Sequence, residues 1–119
     1  MNKTGKSAAE RRREKRWNLR IHLPVFDEPS GNLIGHVVDI ATKGLQLVSE
    51  EPIPVEKNFQ LLLEITREDG EWEKIPLRAL SIWSRRHHSG VYNTGFHIFA
   101  MPPESRQRII QFINTLDDD

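Results

Sequence analysis

From Phe59 onward apolar residues recur at every second position. Phe59, Leu61, Leu63 and Ile65 share one phase and Gln60, Glu64 and Thr66 the other, with Leu62 the exception. A period of two places alternate side chains on opposite faces of a strand, so this segment is a half-buried strand and the chain must build a sheet around it. The same alternation recurs in Ile21–Phe26, in Leu33–Ile40, around Leu45 and Leu47, from Glu71 to Trp83 and from Val91 to Phe99. Turn formers separate these runs: Glu28–Asn32, Glu50–Glu56 with Pro52 and Pro54, Asp69–Gly70, and Ser84–Gly90. After Pro102 and Pro103 the spacing changes to 109, 112, 113 and 116, the stripe of an amphipathic helix, with Pro103 suited to its first turn and Glu104 to its positive end. The expectation is a mostly β fold: a six-stranded antiparallel barrel with a C-terminal α-helix packed against it and a flexible N-terminal arm. Pro24 is expected near an edge or a bulge. The apolar phase Ile75, Leu77, Ala79 passes to Leu80 and Ile82, which predicts a bulge near Ala79–Leu80.

A chain of 119 residues is long enough to bury one core. The absence of cysteine removes disulfides, thiol catalysis and zinc–thiolate sites. No apolar run approaches the ~20 residues needed to span a bilayer, and residues 1–16 are too polar for a signal peptide, so a cytoplasmic location is expected. No pair of carboxylates has a setting for acid–base work, and neither a Walker loop nor a GxGxxG pattern is present. Adjacent His87 and His88 point apart on a strand or turn and are poor joint metal ligands. No enzyme activity, metal site or cofactor is expected.

Charge is unevenly placed. Seventeen basic and seventeen acidic residues cancel overall, yet residues 1–20 hold eight Lys/Arg against Glu10 and Glu14. The run Arg11–Arg20 (RRREKRWNLR) cannot be core, because guanidinium groups are almost never buried without partners. It is a solvated tail, a segment that sticks to nucleic acid, or an arm that closes on an anion. Arginine can grip a guanine edge through O6 and N7, stack on a base, or pair with phosphate. Arg12 and Arg16, four apart, can reach two sides of one compact anion. The carboxylate of Asp39, in the polar Asp39–Gly44 turn, can accept from guanine N1–H and the 2-amino group, which arginine cannot do. These residue types suit a guanine nucleotide with several phosphates.

Arg11, Arg12 and Arg16, followed by Asp39-x-Ala41-x-x-Gly44, resemble the two-part signature of PilZ domains, bacterial receptors for the second messenger cyclic di-GMP. The family pattern is RxxxR in an N-terminal arm and [D/N]xSxxG on the barrel. The likeness spans residues 10–116 and continues in Leu19–Asp27, Gly35–Asp39, and Trp83 with Tyr92–Phe96. It implies that Arg12 and Arg16 hold guanine bases and phosphates with Arg11 assisting, that Asp39 bonds a guanine, and that Gly44 supplies a tight turn that lets the ligand approach. Trp83 reads either as a barrel-edge core aromatic or, by the resemblance, as a ligand contact. Arg16 and Arg20 also fit RxxxR, although Arg20 is expected to open the first strand.

The implied organisation is a disordered tail at 1–10, a PilZ-like domain at 11–116 (basic arm 11–20, barrel 21–99, helix 103–116) and an acidic tail at 117–119. The implied function is a cyclic di-GMP receptor or adaptor whose arm closes over the ligand and which acts on a downstream protein partner. Position 41 departs from the pattern, because alanine replaces the serine hydroxyl that would contact the ligand. Ala41 favours an alternative, a PilZ-like protein-interaction module that binds no nucleotide. An RNA-binding barrel fits less well, since Trp17 is the arm's only aromatic for stacking bases.

Overall fold

A computed structural model describes the backbone of residues 17–41 and 43–116 and the side chains of residues 22–41 and 43–115. Six strands run in sequence: β1 (Trp17–Asp27), β2 (Leu33–Ala41), β3 (Gly44–Ser49), β4 (Asn58–Thr66), β5 (Trp72–Arg86) and β6 (Tyr92–Ala100). They pair antiparallel in the order β1-β2-β3-β6-β5-β4 and close into a barrel, and helix α1 (Pro103–Leu116) follows.

Strand alternation supplies the core directly. Leu61, Leu63 and Ile65 of β4 are 0–1% exposed, while Gln60 and Thr66 face solvent. Each such side chain, fully buried, contributes about 1.5–3 kcal/mol relative to exposure. Phe59 packs edge-on against Phe96, ring centroids 5.7 Å apart. The helix starts with Pro103 at its first position and Glu104 in its first turn. Ile109 and Ile113 join the barrel core, with Phe112 packed against it.

Three local expectations change. First, β1 begins at Trp17, not near Ile21, so the last four residues of the expected arm are strand. Closure leaves β1 no edge, but Pro24 does lie near a bulge as expected, with register shifts against β2 at Asn18–Leu23 and Val25–Phe26 on either side of it. The strand meets β4 only through Val25, Phe26 and Asp27, and Pro24, which has no N–H to donate, falls one residue before that seam. Second, the inward phase of β5 does not pass to Leu80 and Ile82. Ala79 and Ser81 are both fully buried, and Ile82 is exposed. The irregularity at Arg78–Ala79 belongs to β6, whose extra residue there is Phe99, whereas the extra residue on β5 is Ile82, between the pairs Ser81–Phe96 and Trp83–Gly95. Ser81 can occupy a core position because partners come to it. Its hydroxyl donates to the Pro54 carbonyl (2.7 Å) and accepts from the Lys57 N–H (3.1 Å). Third, β5 runs to Arg86, so the turn expected from Ser84 begins only at His87, whose N–H donates to the Val91 carbonyl.

Candidate functional site

Asp39 owes its direction to a bulge. In β2 the inward residues are Val37 and then Ile40, both 0% exposed, a change from odd to even phase. The extra residue is Val38: Val37 pairs with Leu47 of β3, and Asp39 already pairs with Gln46. A regular strand would have given Asp39 the phase of Val37 and aimed its carboxylate into the core, at a large desolvation cost. The bulge turns it onto the outside of the barrel instead, a common way for a strand to re-aim a side chain.

The register then carries a single outward-facing row across four strands, beside the first residues of β1. Asn18 of β1 pairs with Asp39, Asp39 with Gln46 of β3, Gln46 with Gly95 of β6, and Gly95 with Trp83 of β5. Behind this row lie the buried Ile40, Leu45 and Phe96. Gly95 is needed where it stands. A Cβ there would come within 2.3 Å of the Trp83 indole nitrogen, so the Trp83 ring lies over the glycine backbone. Trp83 is thus not a core residue: it is 38% exposed, and the Arg85 guanidinium sits 5.3 Å from its ring centroid. The row offers a carboxylate and an amide at one end and an indole with a cation above it at the other, suited to the hydrogen-bonding edge and the flat face of a heteroaromatic ring.

Of the residues predicted from sequence, Asp39 and Trp83 lie on this row. Ala41 is 4% exposed, and it pairs with Gly44, the first residue of β3, which in turn pairs with His97. Arg20 does not open a strand. It lies in a part of β1 with three more residues than its partner, since Asn18 pairs with Asp39 but Leu23 pairs with Val37. Arg11, Arg12 and Arg16 lie outside the described residues, as do the tails at 1–10 and 117–119. What is described is the point where the arm joins the barrel: Trp17 pairs with Ile40 and Asn18 with Asp39, so the chain enters β1 beside the predicted site. Gln46 and Gly95 were missed as site residues. Gly95 carried a signal, because glycine inside a strand marks a bend or a close approach. Gln46 carried none beyond its polar phase.

A polar cavity of about 700 Å³ lies elsewhere, between the β4–β5 turn and α1, lined by Arg67, Asp69, Glu73 and Arg108 among others. Its cations are already paired: Arg67 with Asp69 (2.8 Å) and Arg108 with Glu73 (2.8 Å). The hydrogen bond from Arg108 holds the Glu73 carboxyl below its ordinary pKa. It contains none of the predicted site residues. Among the described residues no helix is long and apolar enough to cross a membrane.

Comparison with known proteins gives concordant results. The family model described as PilZ domain matches residues 10–115. The inhibitor of motility MotI/DgrA of Bacillus subtilis superposes with a TM-score of 0.69 at 14% identity, covering 92% of this chain and 53% of that one. YcgR from Escherichia coli, solved in complex with c-di-GMP, gives 0.67 at 14% identity, covering 90% and 46%. The PilZ domain of CeSA from a cellulose-synthesising bacterium gives 0.60 at 16% identity, covering 86% and 97%. The chain spans about half the length of the first two. No curated protein matches it.

Proposed function

Because the chain belongs to the PilZ domain family, we propose that it is a cyclic di-GMP receptor that binds the nucleotide on the Asp39–Gln46–Gly95–Trp83 row, beneath the arginine arm. The observation that carries this reading is the register. It sets Asp39 beside the first residues of β1, directly after Arg16, and on the same outward row as Trp83. The Asp39 carboxylate accepts from guanine N1–H and the 2-amino group. Arg12 and Arg16 take the guanine edges and phosphates, with Arg11 in support and Arg20 in the bulge beside Asp39 as a further candidate. Trp83 receives a ring face, and Ala41 and Gly44 leave room for close approach. The arm closes because the ligand's phosphates pair with its arginines, so the ligand itself drives the change of surface that a protein partner would read. No catalytic step is assigned.

Titration calorimetry tests the reading: wild type binds cyclic di-GMP, while Arg12→Ala and Arg16→Ala lose binding with unchanged thermal unfolding. Wild-type affinity in both variants would remove the arm from the site. One observation favours a second reading, a protein-interaction module without nucleotide. Ala41 lacks the serine hydroxyl of the family pattern, and loss of one neutral hydrogen bond costs about 0.5–1.5 kcal/mol. No heat with cyclic di-GMP in wild type would select it.

A further inference from the structure

The bulge that turns Trp83 outward turns a cation out with it. Ser81, two residues before Trp83, is fully buried, so an unbroken alternation would have sent Trp83 and Arg85 inward as well. Ile82 is surplus to β6, since Ser81 pairs with Phe96 and Trp83 already pairs with Gly95, and the side chains that follow change face. Beyond it the register is regular again, with Ser84 opposite Thr94, Arg85 opposite Asn93 and Arg86 opposite Tyr92. The Ser84 hydroxyl meets that of the fully buried Thr94 at 2.9 Å, so Ser84 takes the inward phase, and Trp83 and Arg85 the outward one. Arg85 is exposed, and its guanidinium lies over the Trp83 ring. The ion pairs formed between described residues, Arg67–Asp69 and Arg108–Glu73, do not involve it.

Neighbouring strands lie about 4.8 Å apart, so the row from Asp39 on β2 to Trp83 on β5 spans roughly 14 Å. The arm joins the barrel at the Asp39 end, and Arg85 stands at the other. We propose that Arg85 is a further ligand-binding residue, a cation built into the barrel that pairs with a phosphate of the nucleotide from the β5 end while the arm closes from the β1 end. The inference rests on the nucleotide reading above. A base that takes the indole face displaces the guanidinium held there, and the freed fork is then beside the ligand's phosphate backbone. A cyclic dinucleotide carries a phosphate on each side of its ring and so meets cations at both ends of the row. A mononucleotide, whose phosphates leave from one ribose carbon, meets them at one end only.

Titration calorimetry of the full chain with cyclic di-GMP, at low and at high salt, tests the assignment. Arg85→Ala should weaken binding roughly ten- to 150-fold at low salt, the range for a hydrogen bond to a charged group, with unchanged thermal unfolding. The deficit should shrink at high salt, which screens an exposed charge pair. Arg85→Lys should recover most of the affinity, because an ammonium still serves a phosphate as a point charge. Arg86→Ala, which removes the same charge one residue on and in the opposite phase, should bind as wild type. Wild-type affinity in Arg85→Ala, a deficit that neither salt nor lysine alters, or an equal loss in Arg86→Ala would overturn the assignment. Where Asp39→Ala and Arg12→Ala still lose binding, such a result leaves the nucleotide reading standing; no heat from wild type would overturn both.

Discussion

Two opposite walls of the barrel are built from the same alternation, yet only one is regular. β4 and β5 pair without a slip from Asn58–Leu80 to Thr66–Trp72. Across the barrel β2 slips at Val38, and β1 carries three extra residues between Asn18 and Leu23. On its other edge β5 slips against β6 at Ile82. The regular wall supplies Leu61, Leu63 and Ile65 to the core. The slipped strands present Asp39, Trp83 and Ile82 outward. An alternating strand can bury every second residue or display a chosen one out of phase, and a bulge is the local cost of the second. In this barrel binding chemistry is expected where the register breaks, and stability where it does not.

Four substitutions test that division, from the largest effect to the smallest. Leu63→Ala in the regular wall should cost about 2–5 kcal/mol in urea denaturation while leaving the affinity of the folded fraction for cyclic di-GMP unchanged. An equal loss of affinity would mean that the two walls are not separable. Asp39→Ala should do the opposite. Loss of a charged hydrogen-bond partner weakens nucleotide binding by about 1.5–3 kcal/mol, roughly ten- to 150-fold, with little change in the urea midpoint. Ala41→Ser, which restores the hydroxyl of the family pattern, should raise affinity by about 2- to 12-fold.

The smallest effect concerns pH and the pair that ties α1 to β5. Arg108 holds the Glu73 carboxyl below its ordinary value of 4.5, so the pair's contribution is present above that value and disappears as pH falls through the lower, folded-state one. Both side chains are about one-third exposed, so the contribution is slight. Glu73→Gln should therefore flatten the acid limb of the stability profile a little and leave the neutral midpoint nearly unmoved, as thermal melts across that range would register.

Strand number, the terminal helix and most boundaries were legible because period-two and period-3.6 patterns are local. What escaped the sequence is set by partners far along the chain. Ser81 is buried because Pro54 and Lys57 reach it across 27 and 24 residues, and no local pattern announces that a serine will displace Leu80 and Ile82 from the core. Trp17–Arg20 lacks alternation and still becomes strand, since β2 provides the pairing for its start. Asp39 could be named from its motif, but its outward direction depends on Val38 being surplus to its partner strand β3. Gln46 and Gly95 join the proposed site only through cross-strand register, which fixes a row no linear motif contains.

The central claim is the location of nucleotide binding, and an ¹⁵N-HSQC titration of the full chain with cyclic di-GMP, run beside GTP, tests it directly. Saturable shifts are expected at Asp39, Ala41, Gly44, Gln46, Gly95 and Trp83, including its indole N–H, with the arm amides, and none comparable with GTP. Absence of shifts with cyclic di-GMP, or shifts centred on the cavity between Arg67 and Arg108, would contradict it.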